Sequence, residues 1–457
     1  MSRIQCVSPI DESIYVERDT LSITDARVCA ERAAAAQISW ASRSLQERIE
    51  LVKAGVAEVG QMNDDIVPEL AWQMGRPIRY GGEFGGFEER ALHMAQIADR
   101  ALAPINVSKT SEFDRVIKRV PHGVVLVIAP WNYPYMTAIN TVAPALIAGN
   151  SVILKHASQT PLVGERMVKA FTKAGVPPDV LQNVFVDHKT TGSLISENRF
   201  GFVNFTGSVA GGRAIETAAA GTFTSLGLEL GGKDSGYVMA DADLDAAAET
   251  LIDGAMFNSG QCCCGIERIY VADALFDAFV EKSVSIVNAY RLGNPLEHET
   301  TLGPMANKRF ATEVREQVSE ALAQGATAHI AKFANDDDGA YLTPQVLTNV
   351  NHEMRVMRDE SFGPVVGIMS VSNDDDAVRL MNDSEFGLTA SLWTKDVSRA
   401  MSIADRIDTG TVFMNRCDYL DPALCWTGCK NTGRGGGLSE IGFHNLTRPK
   451  SYHFKKS

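Results

Sequence analysis

Three consecutive cysteines, Cys262, Cys263 and Cys264, are the residues of this chain best equipped for covalent chemistry. They lie in the run Phe257-Asn-Ser-Gly-Gln-Cys-Cys-Cys-Gly265, which closes a helix-like stretch over residues 244–257 and precedes a strand-like one. A thiol held at such a boundary, among backbone amides, ionises readily and becomes a nucleophile. Three small apolar residues packed in a core would read the same way, and the run alone leaves both readings open. Zinc is disfavoured, because adjacent cysteines wrap poorly around one tetrahedral ion and no histidine follows at ligand spacing. Three further segments carry polar groups at turns. Leu228-Glu-Leu-Gly-Gly-Lys233 puts Glu229 at a strand end thirty-four residues before Cys263. Ala129-Pro-Trp-Asn-Tyr-Pro-Tyr135 puts Asn132 at a strand-to-helix turn, and Asp359-Glu-Ser-Phe-Gly-Pro-Val365 supplies a third turn.

The elements that must position these residues follow from periodicity. Residues 25–36, 45–59 and 62–74 carry apolar positions at helical spacing, so the first hundred residues are expected to be mostly helical. From residue 120 short apolar runs alternate with helical ones: strands at 124–129, 151–155, 181–186 and 202–205, helices at 136–148, 161–174 and 190–197. That βαβ rhythm predicts a parallel sheet covered on both faces. It resumes after Gly232, with strands near 236–239, 266–271, 365–371, 390–394 and 411–414, hence a second α/β domain. The Asp-rich stretch 334–340 reads as a solvated loop, and the polar tail 449–457 as an edge strand.

With 457 residues, two or three domains are expected. A balance of 43 basic against 56 acidic residues gives a net charge of −13, which argues against nucleic acid or an anionic membrane as partner. The apolar run 123–130 is too short to span a bilayer, and the first twelve residues carry no apolar leader. Eight cysteines without a framework spacing point to reduced thiols and a cytoplasmic setting.

Taken together, in this order and at this spacing, the four segments resemble the signatures of the aldehyde dehydrogenase superfamily, from about Ser8 to the tail. The resemblance implies an NAD(P)-dependent, hydrolytic, non-acylating enzyme. Cys263, fourth residue of Gly260-Gln-Cys-Cys263, would be the nucleophile, and the Asn132 amide with the Cys263 backbone N–H the oxyanion donors. Glu229 would be the base that activates water against the thioester. Its presence speaks against acyl transfer to coenzyme A, and the intact set of three speaks against a non-catalytic relative. The implied fold is α/β. A Rossmann-type parallel-sheet cofactor domain covers residues 1–102 and 120–231, and an α/β catalytic domain covers 232–430. A small β oligomerisation segment is formed by 103–119 with 431–457, which implies a homodimer or homotetramer.

No GxGxxG follows the first strand. The resemblance instead implies that Phe205-Thr-Gly-Ser-Val-Ala-Gly-Gly212 receives the pyrophosphate through Gly207 and Ser208. Glu360 would hold the nicotinamide ribose, Phe362 would pack beside the nicotinamide, and Ile128 and Trp131 would line the cleft. Lys155-His-Ala-Ser158 would read the adenosine ribose. Many NAD-specific relatives carry glutamate at the Ser158 position; serine removes that repulsion, and Lys155 with His156 can meet a 2′-phosphate, so NADP is expected to be accepted beside NAD. Asp187-His-Lys-Thr-Thr191 lacks the glycine-rich loop common there, so that side of the adenine pocket is expected to differ.

The substrate tunnel implied by the resemblance comprises Tyr133, Tyr135, Asn140, Cys262, Cys264, Asp418, Tyr419, Leu420 and Trp426, and fits a medium-sized polar or aromatic aldehyde. Relatives acting on carboxylated semialdehydes often carry arginine where Asn140 stands, which weakens a succinate semialdehyde preference; Arg416 reads as a surface residue rather than a substitute. Tyr133, Phe257 and Trp426 offer part of an aromatic box for a quaternary ammonium, without the tryptophan usual at Asn140. A relay glutamate common in the family falls on Gly437 in Gly433-Arg-Gly-Gly-Gly-Leu438, so Glu229 must serve as base alone.

Overall fold

The computed structural model describes residues 2–337 and 339–456. It opens on a hairpin, β1 (Arg3–Val7) and β2 (Ile14–Asp19), that the mostly helical reading of the first hundred residues did not include. The run Ile14-Tyr-Val-Glu-Arg-Asp19 has too few residues for helical periodicity, and Arg3 ties the two strands by bonding Glu17 and Asp19. The helices that follow, Ile23–Ser42, Leu45–Gly60, Asn63–Met74 and Phe84–Ala101, include the three predicted stretches.

Next come β3 (Ile105–Lys109) and β4 (Phe113–Pro121), then five parallel strands. These are β5 (Val124–Ala129), β6 (Ser151–His156), β7 (Leu181–Asn183), β8 (Phe202–Thr206) and β9 (Ser225–Glu229). Their spatial order is β9-β8-β5-β6-β7. The chain enters at β5, winds outward to β7 and returns to β8, so a crevice opens where β5 and β8 diverge, at their carboxyl ends. Every residue of β5 and β6 is buried, as continuous apolar runs in a doubly covered parallel sheet should be. Helices Leu45–Gly60, Phe84–Ala101 and Pro134–Ile147 share a core on one face, and Ile23–Ser42, His188–Ser196 and Val209–Ala219 on the other. β7 ends at Asn183, short of the expected 186, because the chain turns away there toward the cavity described below.

The second sheet is built from β10 (Asp234–Val238), β11 (Ile266–Ala272), β12 (Thr327–Ala328), β13 (Gln345–Thr348) and β14 (Val365–Val371). After a two-residue β15 (Phe386–Gly387) it is completed by β16 (Thr389–Trp393) and β17 (Thr411–Met414). Its order is β12-β13-β14-β11-β10-β16-β17, and all but β12 run parallel. β18 (Cys429–Lys430) pairs with β15, and β19 (Gly433–Arg434) joins the first sheet beside β9. β20 (Thr447–Lys455) pairs antiparallel with β4 along its whole length, as read from the tail. The Asp-rich loop is less solvated than expected: Asp336 is buried and accepts from Arg315 and from the Thr343 amide, while Asp338 lies outside the described residues. Among the described residues no helix is long and apolar enough to cross a membrane.

Candidate active site

A cavity of about 960 Å³ opens where the two sheets face each other. The segments after each of the five parallel strands of the first sheet reach it, through Trp131 and Asn132, Ser158, Asp187 and His188, Gly207 and Ser208, and Gly231. From the second sheet come the segments entering β11 and β14, with Cys263 and Glu360. The sequence analysis named the residues that now share this wall: Cys262, Cys263, Cys264, Glu229, Asn132, Ile128, Trp131, Lys155, Ser158, Gly207, Ser208, Glu360, Phe362, Tyr133, Asn140, Asp418, Tyr419, Leu420 and Trp426. Tyr135 is the exception. It is buried in the core and meets Phe87 edge-on at 6.2 Å, because the first turn of its helix points it away from the cavity. Arg416, as expected, stays at the surface and covers the Tyr419 ring at 3.9 Å.

The cysteine run is presented by an unusual turn. Asn258, Ser259 and Gly260 are all left-handed, with φ of 54°, 56° and 69°. Only glycine fits at the third position, since a Cβ there would lie 2.2 Å from the Gly363 carbonyl oxygen. Side chains hold the turn: Ser259 donates to Gly303 O at 2.8 Å, and Gln261 donates to Asn258 O and accepts from the Ala306 amide. Such a sequence of strained residues persists only where its surroundings fix it.

Asn132 donates one amide hydrogen to Gln261 O at 3.1 Å, which aims the side chain along the cysteine segment and leaves its second hydrogen uncommitted. Its own carbonyl accepts from Arg76 at 2.5 Å and from Asn258 at 3.2 Å. Arg76 is in turn paired with buried Glu83 at 2.6 Å, whose other oxygen accepts the Met136 amide. None of these supports was visible in the sequence.

The Cys263 thiol is held well below its ordinary pKa by hydrogen bonds from the Cys262 and Cys264 thiols. Those two thiols lie 3.5 Å apart and also face one oxygen of Asp418, at 3.1 and 2.9 Å. Burial pushes the Asp418 carboxyl up. Glu229, at the end of β9, is raised to about 7 by burial and then by the Cys263 charge, with Thr206 Oγ1 at 3.4 Å. Gly437 sits directly beside it: a Cβ there would lie 3.2 Å from a Glu229 oxygen. A side chain at position 437 would crowd the Glu229 carboxyl.

On the opposite side, Glu360 accepts the Gly232 amide at 3.0 Å and is raised to about 8 by burial and by Glu267. Glu267 binds Lys233 and takes the amides of Ser361 and Phe362, so a buried ion pair fixes that turn. Trp131 stacks on Phe310 at 5.2 Å and meets Phe362 edge-on. Ser208 caps the helix Val209–Ala219, whose first amides open on the cavity. Lys155 is nine-tenths buried and has no ion pair among the described residues, which suits a ligand bringing an anion or ribose hydroxyls. These features fit a dinucleotide. His156 does not serve it as expected: its ring contacts Pro134 O, Thr160 Oγ1 and the Ala157 amide, and burial lowers it to about 4. It is therefore neutral at physiological pH and no partner for a phosphate. His188 reaches the cavity instead, at the start of the helix capped by Asp187.

Sequence reasoning missed Phe310, His188 and Arg90. Arg90 had a signal: it lies at the spacing of Phe87, Ala91, Met94 and Ala98, the buried face of its helix, where a charge is out of place.

A model described as the aldehyde dehydrogenase family matches residues 1–452. A vanillin dehydrogenase of Corynebacterium glutamicum is 32% identical, covering 99% of this chain and 94% of its own. An NAD(P)+ succinate semialdehyde dehydrogenase of Escherichia coli is also 32% identical, covering 90% and 93%. The crystal structure of a succinate-semialdehyde dehydrogenase from Burkholderia pseudomallei superposes with a TM-score of 0.95 at 29% identity, over 99% of this chain and 94% of that one.

Proposed function

The chain belongs to the aldehyde dehydrogenase family, and on that premise we propose that it oxidises a medium-sized polar or aromatic aldehyde to the carboxylate through a thioester on Cys263. One observation carries the reading: a low-pKa thiol, an amide with a free hydrogen and a carboxyl raised to about 7 share one cavity. The Cys263 thiolate attacks the aldehyde carbon, and the Asn132 amide with the Cys263 backbone N–H holds the oxyanion. NAD or NADP, when bound, would supply the hydride acceptor needed to oxidise this adduct to the thioester. Glu229 then takes a proton from water, which hydrolyses the thioester and frees Cys263. The residues that would hold the cofactor are Lys155, Ser158, Gly207, Ser208, Glu360, Trp131 and Phe362, with Ile128 beneath.

Lys155 beside a serine favours acceptance of NADP as well as NAD. A quaternary ammonium is a poor fit, because Arg90 shares the wall with Tyr133, Phe257 and Trp426. We assign residues 1–102 and 120–231 to cofactor binding, 232–430 to catalysis, and 103–119 with the tail to homo-oligomer formation, supported by the separate three-stranded sheet β20-β4-β3. The eight cysteines are all free, which suits a reducing, cytoplasmic setting. The test is an aldehyde panel with NAD and NADP in parallel, read by absorbance of the reduced cofactor. Vanillin and succinate semialdehyde lead the panel, as substrates named for two relatives. Turnover of at least one aldehyde, without added thiol acceptor, is expected. Turnover that requires coenzyme A would replace hydrolysis by acyl transfer.

A further inference from the structure

Arg90 projects from the helix Phe84–Ala101 into the wall of the cavity, with the side chains of Asn140 and Tyr419 also lining it. Only 8% of it is exposed. Its contacts are few for a buried guanidinium: Nη1 donates to Met136 O at 3.2 Å and to Asn140 Oδ1 at 3.4 Å. Nε and Nη2 meet no acceptor among the described residues, and no carboxylate there forms an ion pair with it. The nearby acids act on it only through space, Glu229 among them, and three have other partners. Glu83 is taken by Arg76 and the Met136 amide, Glu89 by the Tyr419 hydroxyl at 2.6 Å, and Asp418 faces the two thiols. A buried cation without an anion costs several kcal/mol unless something pairs with it. An arginine has five N–H donors in a fork that matches a carboxylate. Burial pushes its pKa down, yet it starts so high that the group keeps its charge.

We propose that Arg90 anchors a carboxylate carried by the substrate, so that this enzyme selects an aldehyde that is also an acid. The inference rests on reading the cavity as the aldehyde site, and it names the class of aldehyde. Asn140 has a part in it: its amide oxygen holds Nη1, which leaves the remaining donors of the fork for the ligand. The acid group sets orientation, because one end of the molecule is fixed at Arg90 while the other meets Cys263. It also explains why an arginine occupies a face of its helix that is otherwise given to core residues.

The experiment compares two matched pairs: succinate semialdehyde with butanal, and 4-carboxybenzaldehyde with benzaldehyde. The first pair tests an aliphatic acid and the second an aromatic one. In the wild type, kcat/KM should favour the acidic member of at least one pair tenfold or more. Arg90→Met should lower kcat/KM for that acid about 30- to 1,000-fold more than for its neutral partner, mostly through KM, the range expected when a buried charge loses its counterpart. Arg90→Lys should recover part of the difference. Independently of any variant, glutarate should inhibit butanal oxidation competitively, whereas pentanol at the same concentration should not. Equal losses on both members would make Arg90 a positioning residue and overturn the proposal, as would a wild type indifferent to the carboxylate or to glutarate. If the wild type oxidises none of the four aldehydes with either cofactor, the aldehyde reading fails; a working enzyme without discrimination sinks only the role of Arg90.

Discussion

The thiols of Cys262 and Cys264 favour the Cys263 thiolate, whereas burial raises Glu229 to about 7. Near neutral pH the proposed base is therefore half protonated, while the two neighbouring thiols shift the proposed nucleophile toward its thiolate. The fraction of Glu229 able to accept a proton rises tenfold per pH unit below 7 and levels above it. Where deacylation limits turnover, kcat should follow the same curve. Glu229→Gln should remove that limb and cut steady-state turnover about 100- to 10,000-fold, yet keep a burst of reduced cofactor in stopped flow. Loss of the burst together with turnover would assign Glu229 to the first half of the reaction. Cys263→Ala should abolish oxidation and leave NADP binding, measured by calorimetry, unchanged. At the proposed ribose site, Ser158→Glu should shift the ratio of kcat/KM from NADP toward NAD; an unaltered ratio would move phosphate recognition elsewhere, with His188 the next candidate.

The turn 258–260 shows how an element is spent on placing one residue. Its third member touches the Gly363 backbone, next to Phe362, so the nucleophile segment and the Glu360 turn are locked together. Gly260→Ala should cost on the order of 2–5 kcal/mol, from strain in a left-handed residue and from the clash. A denaturant midpoint equal to wild type would show that the turn relaxes freely. Elements like this were partly legible in the sequence. Glu229, Asn132 and the cysteines stand at boundaries between periodic runs, marked by Gly, Pro and Asn, where chemistry and turn signals coincide. Phe310 and Arg76 reach the site only through packing of distant segments, which a local pattern does not encode, whereas Arg90 showed only as a charge on an apolar helix face. The hairpin β1–β2 escaped for a different reason, since each strand is too short to outweigh the long helices that follow.

At the scale of the molecule, two sheets meet so that the carboxyl ends of one face the entering segments of the other. The βαβ rhythm announced both sheets and the polar tail an edge strand, found as β20 beside β4, but nothing announced that β19 would join the first sheet. The sheet β20-β4-β3 leaves Ile105 and Val107 exposed on one edge strand and Phe454 on the other, apolar residues consistent with the proposed homo-oligomer. Removing residues 449–457 should reduce the mass seen by light scattering to that of one chain; an unchanged mass would place the contact elsewhere. The proposed mechanism makes all these elements converge on a covalent bond to one thiol among three. The most direct measurement is to mix the Glu229→Gln enzyme with a turned-over aldehyde and oxidised cofactor, quench in acid, and sequence the peptide spanning residues 257–265 by mass spectrometry. An acyl group on Cys263 alone, absent when cofactor is omitted, is the predicted result. An acyl group on Cys262 or Cys264, or none on any of the three during the burst, would contradict it.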